Sequence, residues 1–217
     1  MPNNTIRGAI FRGYRVIGPT PPLAIGDAYG GGYFAGQIST AGNGVADYNL
    51  VVAPLSTGQA SRQFKTSNTS TAGTASPIDG PTNSSNMNDA SHPAAQFCEG
   101  LTIGGYSDWY MPASKELEVC YYNLKPTTTS NNTNSPGGNT YAVPSRAGNY
   151  SAGTPAQTGA SLFKSGGAQA FTAGNYWWST NNSGYGATVQ SFASGTNYSF
   201  YSKTASVRVR AVRRVAV

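Results

Sequence analysis

Gly174-Asn175-Tyr176-Trp177-Trp178-Ser179-Thr180-Asn181-Asn182-Ser183-Gly184-Tyr185-Gly186 opens a C-terminal stretch that closes on Val207-Arg208-Val209-Arg210-Ala211-Val212-Arg213-Arg214. Short apolar or aromatic runs, Tyr176 to Ser179, Ala187 to Ala193, Tyr198 to Ser202 and Val207 to Val212, alternate here with the turn residues Gly184, Ser194-Gly195 and Lys203-Thr204. Runs of that length between such residues predict a set of closing hairpins. In the last strand Val207, Val209 and Ala211 point one way and Arg208, Arg210 and Val212 the other, so one face is polar or ion-paired. Between the tryptophan pair and the basic strand lie Asn181, Asn182, Ser183, Tyr185, Thr188, Gln190, Asn197, Tyr198, Ser199 and Tyr201, with hardly a charge. Tyrosine supplies contact area with few rotatable bonds, and Ser, Gly and Asn supply adaptable hydrogen bonds, which is the composition of a binding surface.

Upstream, the pattern changes to helical spacing. Gly104-Gly105-Tyr106-Ser107-Asp108-Trp109-Tyr110-Met111-Pro112-Ala113 leads into Ser114, the expected cap of a helix with Leu117, Cys120, Tyr121 and Leu124 as its stripe. Lys125-Pro126 ends it. Asn88-Asp89 offers an N-cap for another helix, Ala90 to Leu101, in which Ala94, Ala95, Phe97, Cys98 and Leu101 share a face. Tyr33 to Ser39 and Leu50 to Leu55 read as strands on either side of the turn signal Asn43-Gly44. The glycines at 30 to 32 precede a strand rather than a helix, so they serve close backbone approach and not a phosphate cradle. Ser56 to Ala90 and residues 127 to 160 are rich in Ser, Thr, Asn and Gly and read as long loops. The expected class is α+β.

Residues 1 to 24 carry a strand pattern from Ile6 to Ile17 and then Gly18-Pro19-Thr20-Pro21-Pro22. They form an arm or linker that docks elsewhere, or an edge strand of the same domain, with the domain proper spanning 25 to 217.

Composition narrows the function. Only 10% of the 217 residues are charged, 14 are tyrosine, and the net charge of +6 is carried largely at the two ends. Arg7, Arg12 and Arg15 lie at one end, and Lys203, Arg208, Arg210, Arg213 and Arg214 at the other. That is not the continuous basic face of a nucleic-acid binder, and the terminal arginines are expected to pair with carboxylates or backbone carbonyls. No apolar run follows the first basic residues, and none is long enough to cross a bilayer, so synthesis in a cytoplasm without a signal peptide and no membrane insertion are expected. Cys98 and Cys120 are either buried thiols or a helix-to-helix disulfide. His92 is the only histidine and has no histidine partner for a metal, which leaves a surface or capping role. Asp108 and Glu116 lack a histidine or a second carboxylate cluster and read as structural, Asp108 accepting bonds from backbone amides or a terminal arginine. No catalytic residue, metal site or cofactor is expected.

The ordered set Ile25-Gly26-Asp27, Gly31-Gly32-Tyr33-Phe34, Asp79-Gly80 with Asn83, Ala94-Ala95-Gln96-Phe97-Cys98, Gly105 to Pro112, Glu116-Leu117, Tyr176-Trp177-Trp178-Ser179-Thr180, Gly195, Lys203 and Val209-Arg210-Ala211-Val212-Arg213 resembles the C-type-lectin-like domain at the C-terminus of collagen-like bacterial adhesins and in phage tail proteins. The resemblance spans residues 25 to 214. It implies two helices beside a small twisted antiparallel sheet with long loops, in the subclass shared by formylglycine-generating enzymes and retroelement-diversified variable proteins. In the latter the C-terminal strands display the changeable residues, and the matching ligand-binding set here is Tyr176, Trp178, Asn181, Asn182, Tyr185, Thr188, Gln190, Asn197, Tyr198 and Tyr201. The pattern usually has serine at the position of Trp178 and tryptophan at that of Phe64.

The resemblance implies a non-enzymatic receptor-binding or adhesion protein of a virion, at a tail fibre or tip, that recognises a host surface glycan or protein. Other tail proteins would be met through the arm, and a homo-oligomer, a trimer, fits a fibre tip. One alternative is a structural decoration or cement protein using the same surface for subunit contacts. Another is an enzyme of the formylglycine-generating type, but that chemistry uses a cysteine pair near substrate and Cys98 and Cys120 fall on the two scaffold helices. The carboxylate triplets of calcium lectins are absent.

Overall fold

The computed structural model describes residues 22–181 and 183–217, so most of the expected arm, including the strand pattern from Ile6 to Ile17, lies outside the described residues. The chain forms strands β1 (Ala28–Tyr29), β2 (Gly32–Ile38) and β3 (Tyr48–Val52), helix α1 (Leu55–Gly58), β4 (Gln59–Gln63), and helices α2 (Gly80–Ser85), α3 (Pro93–Glu99) and α4 (Ser114–Leu124). There follow β5 (Ala142–Val143), a 3₁₀ turn (Ser161–Phe163), β6 (Asn175–Trp177), β7 (Ala187–Ser191), β8 (Asn197–Tyr201), β9 (Ser206–Arg210) and β10 (Val212–Ala216). The class is α+β as expected, but among the described residues four helices and two five-stranded sheets replace two helices and one small sheet.

The first sheet runs β1-β2-β3-β10 with β5 on β2, and the second runs β4-β9-β6-β7-β8. The second sheet is not wholly antiparallel, because β6 and β9 pair in parallel through Tyr176 and Arg208. The segment expected as one strand from Val207 to Val212 is divided at Ala211. Ala211 donates its N–H to the carbonyl of Gly58 and accepts from Ala53, and the chain steps there from the second sheet to the first. Two apolar clusters meet along this line. One joins Leu117, Cys120, Tyr121 and Leu124 of α4 to Ile38, Leu50, Tyr176 and Phe192. The other joins Ala94, Ala95 and Cys98 of α3 to Phe64, Trp177, Val189, Val207 and Val209. The closing strands are thus covered on both faces near the centre, and alternation ceases to separate inside from outside.

Arg210, on the face expected to be polar, is buried against the rings of Phe171 and Phe163 at 4.6 and 5.5 Å. It donates to the carbonyls of Ala53 and Gln169 at 2.9 and 2.8 Å. Arg213 grips Asp108 with two bonds, 2.7 and 2.9 Å, and Arg214 reaches Glu116 at 2.8 Å. These are the carbonyl and carboxylate partners expected of the terminal arginines.

Local chemistry places the helix ends differently from the sequence pattern. α4 starts as Glu116 Oε2 accepts the N–H of Ala113 at 2.8 Å, while Ser114 lies inside the first turn and donates its own N–H to Thr180 Oγ1 at 2.9 Å. α3 is shorter than Ala90 to Leu101 because Asp89 Oδ1 draws Ser91 N and Oγ into a turn at 2.7 and 2.6 Å, and Pro93 then starts the helix. His92 is not on the surface. It is buried between Thr71 Oγ1 at 2.7 Å and Asp89 Oδ1 at 2.9 Å. Gln59–Gln63 escaped the pattern since its residues are polar, yet it pairs with β9 along its whole length. The reading of the glycines at 30 to 32 holds at Gly32, where a Cβ would lie 2.3 Å from the carbonyl oxygen of Val52.

Candidate functional site

The C-terminal rim is built by β7, β8 and the turn from Ser183 to Gly186. Register decides which side chains reach it. Tyr176, Gln190 and Asn197 lie opposite one another on β6, β7 and β8, and Trp177, Val189 and Tyr198 form the next row on the other face. Across the β7–β8 ladder Ala187 pairs with Tyr201 and Val189 with Tyr198, so β8 holds one extra residue in a bulge. Phe200 takes it up with φ of 65°, the only positive φ outside glycine among the described residues. Gly186 makes room, since a Cβ there would stand 2.6 Å from the Cα of Phe200.

The result is a rim of exposed aromatic rings without a charge. Tyr185 and Phe200 are 85% and 77% exposed, and Tyr198 and Tyr201 are also exposed. Tyr201 rests its ring edge-on to Trp177 at 5.9 Å. A cleft of about 160 Å³ opens between the turn and the bulge, lined by Thr180, Asn181, Ser183, Thr188, Ser199 and Phe200.

Of the ten residues expected to bind ligand, Tyr185, Tyr198 and Tyr201 are exposed and Trp178, Thr188 and Asn197 are half-buried. Asn182 lies outside the described residues. Three belong to the interior instead. Tyr176 is fully buried in a cluster with Phe171 and Phe192 at 5.2 and 4.8 Å, its hydroxyl donating to Gln59 Oε1 at 2.9 Å. Gln190 is fully buried beside Asn197, its partner on the neighbouring strand. Asn181 is buried and acts as a staple: Nδ2 donates to the Gly186 carbonyl at 2.9 Å, and Oδ1 accepts from Ser183 N at 3.1 Å. Phe200 was missed because an apolar ring within a strand reads as core, whereas β8 is exposed throughout Tyr198 to Tyr201.

Lys203 holds the turn from beneath. Fully buried, its ammonium donates to the carbonyls of Thr69 and Ser183 at 2.8 and 2.5 Å and to Asn181 Oδ1 at 3.1 Å. Desolvation pulls its pKa down. No carboxylate is among these partners, so the charge is spread over carbonyl dipoles and rigidifies the loop carrying Tyr185.

Beside the rim lies a second cleft of about 210 Å³, lined by Ser114, Lys115, Glu118, Pro136, Trp178, Gln190 and Asn197. Glu118 is held by Arg146, by Asn139 Nδ2 at 2.6 Å and by the hydroxyl of Tyr150 at 3.0 Å. Burial and the Glu118 charge push the Tyr150 phenol far up, which keeps it a donor. A larger cleft, about 460 Å³, lies elsewhere beside Leu23, Phe34, Asn123 and Pro144, and among the described residues no titratable side chain lines it.

No family model matches the chain, and a search of curated proteins finds no match.

Among the described residues no group of three or more His, Cys, Asp or Glu side chains is placed to hold a metal ion. Cys98 and Cys120 are free, buried, and divided between the two apolar clusters. Burial pushes both thiols up, away from the thiolate that nucleophilic chemistry requires. No described helix is long and apolar enough to cross a membrane. What the rim offers chemically is contact: aromatic faces, amides and hydroxyls on a stiff base.

Proposed function

We propose that this chain is a non-enzymatic recognition module with a C-type-lectin-like fold, serving a phage virion as a receptor-binding or adhesion protein at a tail fibre or tip. The observation that carries the reading is the uncharged rim of Tyr185, on the turn before β7, and Tyr198, Phe200 and Tyr201, exposed on an edge strand whose bulge forces Phe200 into a positive φ. A bulky side chain in that conformation is costly, and backbone strain of this kind clusters at ligand sites. Exposed aromatics concentrate binding energy when a partner covers them. The buried staple of Lys203 and Asn181 supports the same reading, since a pre-ordered surface loses less entropy on binding. The fold assignment rests on the ordered motifs set out above, together with the mixed architecture of four helices beside two sheets.

The test is to introduce Tyr185→Ala, Tyr198→Ala and Phe200→Ala together, then measure particle assembly and attachment to host cells. Normal assembly with lost attachment is expected. Unchanged attachment would overturn the reading.

A second reading has one specific observation in its favour. β8 is paired only with β7 among the described residues, so it presents an unpaired strand edge flanked by apolar rings, a template for another chain. In that case the rim joins subunits, as in a trimer, and the triple variant would lose assembly and dissociate in sedimentation.

A further inference from the structure

We infer that the cleft between the first turn of α4, Pro136 and the β7–β8 ladder is a subsite for a sugar ring, which commits the proposed host receptor to a glycan; it rests on the recognition reading above. Two buried acceptors point to it. Gln190 Oε1 and Asn197 Oδ1 are both shielded and have no hydrogen-bond partner among the described residues. They belong to residues directly opposed on the ladder, whose Cβ atoms in such a pair stand about 5 Å apart, and both residues line the cleft. Buried acceptors without donors are rare in folded proteins, and each one costs about 1–3 kcal/mol when unmet.

The orientation of Gln190 follows from its neighbour. The hydroxyl proton of Tyr150 goes to Glu118 Oε1 at 3.0 Å, so the Tyr150 oxygen is left to accept, and Gln190 Nε2 approaches it at 3.4 Å. Reversing the amide would set oxygen against oxygen. Oε1 is therefore the atom turned away from Tyr150.

The rest of the lining narrows the ligand class. Glu118 already accepts from Arg146, Asn139 and Tyr150, so the cleft holds no uncompensated negative charge to attract a cation. An anion would meet the Gln190 and Asn197 oxygens and the Glu118 carboxylate. An apolar group would leave both amide oxygens without donors. Lys115 gives one bond, to the Gly138 carbonyl at 2.6 Å, and retains two further N–H donors. Trp178, half-buried at the same cleft, adds an aromatic surface. Two acceptors, a donor and an indole together suit a group whose hydroxyls both donate and accept and whose C–H face is apolar: a pyranose or furanose ring.

The measurement is saturation-transfer difference NMR on the full chain with free glucose, galactose, mannose, N-acetylglucosamine and rhamnose. At least one is expected to receive transfer at its ring C–H protons. Gln190→Met and Asn197→Leu each remove one acceptor and should weaken that sugar roughly 3- to 10-fold. Trp178→Ala should abolish the signal. Asn197 is half-buried on an edge strand, so Asn197→Leu remains informative should Gln190→Met fail to fold, as judged by thermal melting. Transfer to none of the sugars, or transfer that survives Asn197→Leu and Trp178→Ala in folded protein, overturns the subsite. Attachment of particles separates this from the broader reading. If Asn197→Leu particles attach normally while the triple rim variant does not, the subsite is wrong and recognition by the rim stands; if both attach normally, both ideas fail. Attachment destroyed by protease treatment of the host cells but not by glycosidases also overturns the glycan assignment.

Discussion

Replacing Phe200 by glycine should stabilise the fold while weakening recognition, and the two effects can be sized separately. At φ of 65° any residue with a Cβ clashes with its own carbonyl, an effect worth about 1–2 kcal/mol that glycine avoids. Glycine gives back about 0.5–1 kcal/mol through the freedom of the unfolded chain. The ring is 77% exposed, so its removal forfeits little burial. The difference spans about 0–1.5 kcal/mol and centres at about 0.75 kcal/mol, which for a chain of this size raises Tm by roughly 1–3 °C. Phe200→Ala is the control: it keeps the Cβ, hence the strain, and should leave Tm within about a degree on the same scale. Both substitutions remove the ring and should reduce attachment alike. Differential scanning calorimetry and an attachment assay on the same preparations decide the matter. Equal Tm values for the two variants would refute the strain argument, a lower Tm for Phe200→Gly would mean that the ring packs, and full attachment by both would remove Phe200 from the contact surface.

Other consequences follow from the buried polar groups. Arg214→Met should cost about 3–5 kcal/mol in urea unfolding, because burial already pushes the Glu116 carboxyl up and the guanidinium opposes that shift at 2.8 Å. Lys203→Met should cost about 1.5–3 kcal/mol and also weaken attachment, although Lys203 is fully buried, since Asn181 and the turn bearing Tyr185 lose their anchor. The Ser91 hydroxyl and then His92 hold the Asp89 carboxyl down at about 2, below its ordinary 3.8, so an NMR titration should find its midpoint there. The stabilisation from that depressed pKa is complete above 3.8 and lost as pH falls through about 2, and it amounts to under about 1 kcal/mol because Asp89 is largely exposed. Cys98 and Cys120 should resist a thiol reagent in the native protein and react only on unfolding, since burial disfavours both thiolates; rapid native reaction would contradict the packing.

Much of this was legible residue by residue. Leu117, Cys120, Tyr121 and Leu124 share one apolar cluster as their spacing requires, and the turn at Asn43-Gly44 joins two antiparallel strands. The preference of terminal arginines for carboxylates and carbonyls follows from charge alone, and Asp108 with Arg213 realises it. Periodicity reports burial only where one face of an element meets solvent, and the centre of the closing sheet has none. Tyr176 and Gln190 therefore carry the polar groups of a surface and lie inside.

Composition and spacing by themselves determined the α+β class, the helix faces and the aromatic, nearly uncharged character of the C-terminal segment, because each depends on side chains acting with near neighbours. Tertiary structure alone decided which aromatics face outward, how Gln59–Gln63 became a strand, and where Gln190 and Asn197 meet. Strand order, a bulge at Phe200 and a second cluster on the far side of the sheet bring together residues distant in the chain, and no local pattern encodes that meeting.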